Sequence, residues 1–305
     1  MRIFASIIVL CFIAQAQKRF NSDYFISKYN LNLPKATKEM IDVSEFIHTS
    51  DLWKYYYHEK TNHLDSVIED LSIQKFQPSR TFKYYTYKED TAIERLISIS
   101  LVNNDTLNNY IKTYTENFRT KKSLDLKTKC IWKSSFDESG IKMLDVRKCP
   151  SDTGFRGQVF NKTKHDEYIE LIETYRGEID SNTIRRYYLT PFDSIVADFM
   201  VTKRKEPFIV RLNVYNNNKK KKYSFSFGIF SNINEVINFN HYTYTDKGQI
   251  NRDYYFFVID RNAKDKSYEL VNYTEYEYDS LGRVIRETTR VKPDPKKLET
   301  KEKIK

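Results

Sequence analysis

Residues suited to chemistry are sparse. Histidine occurs at His48, His58, His63, His165 and His241, and the stretch His58-Glu59-Lys60-Thr61-Asn62-His63 sets two imidazoles around a carboxylate. Zinc hydrolysis from a helix needs its histidines four apart, so that both reach the metal while the glutamate between them handles the proton. Five apart puts them about 140° out of phase, and the stretch reads as an exposed turn. Asp137, Asp279, Glu275 and Glu277 offer carboxylates for the acid/base pair of glycoside cleavage. Asp137 and Asp279, however, occupy turn positions, and Glu275 and Glu277 flank tyrosines on a polar strand face. There is no glycine-flanked nucleophilic serine, phosphate loop or calcium loop. The sequence thus names no catalytic residue, no metal site and no cofactor, and an unrecognised hydrolase stands only as an alternative.

Cys130 and Cys149 bracket a stretch with its own central turn. Two strands folded back on that turn bring the thiols together, and closing a loop of about 20 residues is worth roughly 3 kcal/mol in the chain-entropy model. A bond fits the compartment expected from residues 1–16, MRIFASIIVLCFIAQA, where Arg2, an apolar run and Ala14-Gln15-Ala16 compose an export signal. The apolar run is shorter than the about 20 residues of a membrane span. The expected destination is the periplasm, the outer membrane surface or the exterior. Removing Arg2 with the leader takes the net charge from +10 to +9. The basic residues concentrate at Lys219–Lys222 and in the tail 291–305, read as a solvated turn and a disordered terminus rather than a specific nucleic-acid site.

The elements holding these residues are strands. The chain carries 24 Tyr and 20 Phe against 7 Gly and 7 Pro, a balance that favours pleated surfaces. Residues 208–215 and 223–230 alternate apolar and polar on either side of an Asn/Lys turn, as a half-buried antiparallel hairpin does. A recurring unit stands out. Tyr242-Thr243-Tyr244-Thr245-Asp246-Lys247-Gly248-Gln249-Ile250 matches Tyr276-Glu277-Tyr278-Asp279-Ser280-Leu281-Gly282-Arg283-Val284 position by position. Phe136-Asp137 to Gly140 keeps the turn, and weaker copies start at Tyr55 and Tyr85, with Thr61 and Thr91 in the glycine position. Tyrosines two apart share a strand face, Asp279 accepts from the backbone two residues on, and Gly282 supplies the positive φ of the return. Threonine tolerates that φ poorly, so the early copies turn differently or match by coincidence.

The unit resembles the YD repeat of the RHS family, most closely in YEYDSLGRVIRETTR (276–290). Large members of that family wind many such hairpins into a hollow β-shell, often around a C-terminal toxin; for this chain the resemblance implies the hairpin architecture. The Lys, Asn, Ile and Tyr bias also looks like exported proteins of AT-rich Bacteroidota.

The expected fold is mainly β: a single domain over 17–290, an antiparallel meander of hairpins forming a curled sheet, with a small mixed N-terminal section. Helix is expected in 33–47 and 66–76. The expected function is non-enzymatic binding of an envelope polysaccharide or surface protein, with Tyr242, Tyr244, Tyr276 and Tyr278 as contact residues and Asp137, Gly140, Gly248, Asp279 and Gly282 as turn formers. The alternatives are a carrier whose curved sheet encloses a lipid or other apolar ligand, and an outer-membrane barrel, which a charged C-terminus and the lack of a sustained apolar outward band oppose.

Overall fold

The computed structural model describes residues 18–71, 78–88, 91–115, 119–137, 142–152, 156–175, 178–202, 205–228, 235–260 and 266–292. The expected leader (1–16), Gly140 and nearly all of the basic tail lie outside these residues.

Among the described residues, eighteen strands follow one another. They are β1 (His48–Tyr57), β2 (Leu64–Asp70), β3 (Ser79–Lys88), β4 (Thr91–Ser100), β5 (Thr106–Thr115), β6 (Thr120–Asp125), β7 (Ile131–Phe136), β8 (Lys142–Lys148) and β9 (Arg156–Lys164). The second half comprises β10 (Ile169–Tyr175), β11 (Glu178–Leu189), β12 (Ile195–Thr202), β13 (Lys205–Tyr215), β14 (Lys221–Phe227), β15 (Val236–Tyr244), β16 (Ile250–Val258), β17 (Tyr268–Tyr278) and β18 (Val284–Val291). Each pairs antiparallel with its neighbours in sequence, and β1 pairs with β18, Trp53 opposite Glu287 and Leu52 opposite Thr288. The expected meander is present, but it closes into a barrel instead of ending as an open curled sheet. Closure satisfies the backbone groups that β1 and β18 would otherwise leave on free edges.

Turns after odd-numbered strands lie at one rim, here the upper rim. Turns after even-numbered strands lie at the lower rim, where Cys130 and Cys149 are bonded, tying the β6–β7 connection to the end of β8.

The cross-strand register shows which face lies inside. One face runs through Tyr55, Val67, Lys83, Leu96 and Tyr110, and carries Thr81 opposite Ser98. Thr81 and Ser98 are each only 5% exposed although their neighbours are small or polar. The opposite face carries Tyr56 and Tyr84, 45% and 51% exposed. Small polar residues are shielded without a covering layer only where the sheet is concave, so the first face lines the lumen. The alternation of these strands thus places tyrosine, hydroxyl and charge inside.

The outer face of β12–β17 is strongly apolar: Phe199, Leu212, Phe225, Phe239 and Phe256 are fully buried there. They are covered by the chain's own N-terminal segment, whose Phe20, Phe25, Leu31 and Phe46 complete one core cluster with them. Within this strap, helix α1 (Ser22–Lys28) starts at Asn21, whose side chain accepts from the Tyr24 amide, and carries Asp23 in its first turn and Lys28 in its last. Phe25 packs edge-on against Tyr188 and tilted against Phe199.

The helices expected in 33–47 and 66–76 are not found. Residues 38–41 form turns, Leu64–Asp70 is β2, and 72–77 fall outside the described residues. Val67 faces inward between β1 and β3 while Ile68 faces out, a period of two that the mixed apolar spacing concealed.

Candidate functional site in the barrel lumen

At the upper rim the repeat unit takes physical form. Asp279 Oδ1 accepts from the Leu281 and Arg283 amides at 3.0 and 2.9 Å, and Gly282, at φ +79°, donates to the Asp279 carbonyl. Thr245 to Gln249 folds alike around Gly248, also at φ +79°. The same turn recurs at 190–194 and 216–220, capped by Thr190 and Asn216, with Asp193 and Lys219 at positive φ. Sequence reading missed these two copies because neither has glycine at the left-handed position. The copy beginning at Tyr55 does turn differently, with Asn62, one residue past Thr61, taking φ 57°. The Tyr85 copy closes between Lys88 and Thr91, paired directly. Asp137 forms an ion pair with Lys162.

Neighbouring turns hook together through the residue that follows the left-handed position. Lys220 Nζ donates to the Gly248 carbonyl at 2.5 Å, Gln249 Nε2 to the Gly282 carbonyl at 2.9 Å, and Arg283 Nη1 to Asn62 Oδ1 at 3.0 Å.

The paired tyrosines divide into two roles. The second of each pair ends its strand beside a bulge and points inward. Its phenol donates to the first carbonyl of the preceding even-numbered strand: Tyr244 to Lys221 at 2.6 Å, Tyr278 to Ile250 at 2.8 Å, and Tyr57 to Val284 at 2.9 Å. Tyr215, absent from the sequence repeat, reaches Ile195 at 3.0 Å. These latches commit the phenol protons of Tyr244 and Tyr278 to neighbouring strands. The first members, Tyr242 and Tyr276, lie one row deeper on the lumen face. Burial is the main cause that pushes both phenols above the usual range, with Asp253 and, for Tyr276, Glu287 adding to it.

Below the rim the wall is charged and hydrogen-bonded. Glu94 accepts from Tyr85 at 2.8 Å, Tyr114 at 3.2 Å and Lys112 at 2.6 Å. Burial would raise its carboxyl, but the Lys112 and Tyr85 bonds outweigh it and hold it below the usual carboxylate range. Glu287 accepts from Tyr55 at 2.7 Å, Asp253 from Asn240 at 2.8 Å, and Asp198 pairs with Arg185.

A cavity of about 460 Å³ opens against this wall, bounded by residues of six consecutive strands, β2 to β7. Its floor is small and polar: Ser79, Thr81, Ser98, Asn108 and Ser123. Tyr110 and Trp132, edge to face at 5.9 Å, stand at one side, while Lys83 and Lys112 project from others. The large apolar cluster of β12–β17 faces outward, beneath the strap. A groove of about 230 Å³ between Leu52, Tyr56, Ile68 and Phe82 is confined to the outer face of three neighbouring strands.

His58 and His63 stand in the β1–β2 turn, where His58 Nδ1 accepts from the Thr61 amide at 3.3 Å and His63 packs at a tilt against Tyr87, ring centres 4.5 Å apart. Among the described residues no group of three or more His, Cys, Asp or Glu side chains is placed to hold a metal ion. No described helix is long and apolar enough to cross a membrane.

Fold and site together define a closed antiparallel β-barrel with a polar, tyrosine-lined lumen. No protein-family model matches the chain, and no curated protein matches it. Among solved structures it is similar to a porin-like protein from Bacteroides uniformis, at 8% identity and a TM-score of 0.38, covering 80% of this chain and 97% of that one. It is also similar to a TcdB2–TccC3–Cdc42 structure at 10% identity and a TM-score of 0.18, covering 73% of this chain but 16% of that one.

Proposed function

We propose that this is an exported, non-enzymatic binding protein that holds a carbohydrate in its lumen. The observation carrying this reading is the cavity between β2 and β7, where hydroxyl and amide groups of Ser79, Thr81, Ser98, Asn108 and Ser123 face the edge-to-face pair Tyr110–Trp132. Sugars are recognised by this combination: hydroxyl and amide groups exchange hydrogen bonds with ring hydroxyls, and an aromatic face covers the C–H side of the ring. Tyr242 and Tyr276, lumen-facing and higher in the barrel, extend the aromatic surface toward the rim. The YD-like turns then serve as scaffold, setting the rim that frames the entrance.

A water-facing exterior supports binding over conduction through a membrane. Outward positions include Arg80, Arg95, Lys122 and Lys133, all exposed, with Lys122 directly opposite Lys133, where a lipid-facing barrel keeps an apolar band. The most apolar outer sector is already occupied by the strap.

The chain contains two tryptophans, Trp53 and Trp132, and both face the lumen. Titration of the whole protein with an oligosaccharide panel should therefore shift tryptophan emission, and Trp132→Ala should abolish the shift while leaving the circular dichroism spectrum unchanged. A panel without a binder, with the fold intact, would remove this reading.

A further inference from the structure

The lining of the cavity itself carries two ammonium groups, Lys83 and Lys112, against one carboxylate, Glu69. Lys83 Nζ sits 4.0 Å above the Trp53 ring, and neither Lys83 nor Lys121 has an ion-pair partner among the described residues. Lys112 is bound to Glu94 at 2.6 Å, and the Arg147 guanidinium lies 5.3 Å from the Trp132 ring centre, its bonds going to the sulfurs of Cys149 and Cys130. Against these cations stand Glu94, already engaged by three donors, Glu69, which acts on Lys83 and has Asp51 near it, and Asp145, which acts on Lys121 but is bonded to Lys142 and Ser134. The cations are also close enough to oppose one another's charge: burial is the main cause holding the Lys83 and Lys121 ammonium groups below their usual range, and Lys112 adds to it in both cases. Such an arrangement is costly when empty and relieved by an anion.

We infer that the lumen selects an anionic sugar, an oligosaccharide bearing carboxylate or sulfate groups, with Lys83, Lys112 and Lys121 meeting the charge and Tyr110 and Trp132 meeting the ring. This rests on the lumenal carbohydrate reading and narrows its ligand class. Lys83 and Lys112 line the cavity itself, whereas Lys121 lies beside it, between Tyr114 and Ser134 of the neighbouring strands, and acts at longer range. The aromatic pair gives a sugar an advantage over a bare inorganic anion, because an anion alone gains nothing from a ring face.

The test uses the full-length protein and its tryptophan emission, with tetragalacturonate, neutral maltotetraose and sodium sulfate as probes. Tetragalacturonate should bind about 10-fold or more tighter than maltotetraose, and its affinity should fall as salt rises from about 50 to about 300 mM. Lys83→Gln and Lys121→Gln should each weaken tetragalacturonate binding by roughly 3- to 10-fold, and Lys121→Gln, outside the cavity lining, should leave maltotetraose unaffected. Should Lys83→Gln misfold by circular dichroism, Lys121→Gln, which lies outside the cavity lining, decides the matter. Equal affinity for both sugars, or variants that bind tetragalacturonate normally, would overturn the charge selection and leave lumenal sugar binding standing. Sulfate binding as tightly as tetragalacturonate would overturn the sugar component. Binding of no probe would overturn the inference and the reading beneath it.

Discussion

The phenol of Tyr57 donates to the carbonyl of Val284 at 2.9 Å, across 227 residues of sequence, at the seam where the first strand of the barrel meets the last. The corresponding latches of Tyr244 and Tyr278 join strands that are close in sequence; this one holds the two ends of the meander together. Arg283, bonded to Asn62, crosses the same seam at the rim.

Tyr57→Phe removes the latch bond and keeps the ring. The expected loss is about 1 kcal/mol in urea unfolding, with more rapid hydrogen exchange in β1 and β18 than elsewhere. Tyr84→Phe, on the exposed outer face, should be neutral. Equal effects from both would show that the latch adds nothing to closure.

Gly282→Ala places a side chain at φ +79°, where its Cβ would lie 2.7 Å from Gln249 Nε2. Backbone strain of about 1–2 kcal/mol is expected, together with displacement of the Gln249 hook. Gly282→Asn, which tolerates this φ better, should recover part of the loss by the same unfolding measurement; an alanine variant as stable as the parent would contradict the turn geometry.

Reducing the Cys130–Cys149 bond, or replacing both by serine, should lower stability by roughly 3 kcal/mol. Protection at the lower rim of β6–β9 should fall first, while the tyrosine-latched upper rim of β13–β18 stays protected. Limited proteolysis resolves the order of cleavage.

His241 lies on the strap-covered outer face, stacked on Tyr223 at 4.8 Å, with its buried Nδ1 unpartnered in the described structure. Burial is the main cause that lowers its pKa; a hydrogen bond with the Lys222 backbone opposes it, and the Lys222 charge adds a smaller lowering. The unfolded chain therefore binds the proton more readily, so stability contributed at this site is present above about pH 6.5 and is lost as pH falls below it. His241→Gln should flatten the dependence of the unfolding midpoint between about pH 7.5 and 5.5. An unchanged slope would place the titrating group elsewhere.

Phe25→Ala opens a cavity between α1 and the Tyr188–Phe199 surface, with an expected cost of about 3–5 kcal/mol. Because the strap covers the outer face and leaves the lumen clear, emission from Trp53 and Trp132 should change little in the native state. A large shift there would mean that the strap supports the lumen.

Much of the local architecture was legible in residue order. Alternation in 208–215 and 223–230 marks a hairpin that β13 and β14 form as far as Phe227, with 229–230 outside the described residues, and in the turn after Tyr278 Asp279 accepts from the Leu281 amide while Gly282 takes a positive φ, as residue order implies. Legibility failed where one residue substituted for another in the same backbone role: Lys219 and Asp193 adopt the left-handed conformation usually left to glycine, so two copies of the turn went unseen. Asn62 took that role one residue late, disguising a third. The cavity was illegible for a different reason. Thr81, Asn108 and Trp132 are ordinary strand residues by type, and nothing along the chain marks them as neighbours.

Sequence alone determined that this protein has two-faced strands, short turns and a cysteine pair suited to bonding, because period-two alternation and turn chemistry act over a few residues. Tertiary structure alone decided that β1 meets β18, that the tyrosine and lysine face turns inward, and that the phenylalanine face turns outward to be covered by residues 18–46. An alternating strand specifies both faces equally; the direction of curvature comes from the summed twist and bulges of eighteen strands, a quantity no single segment contains.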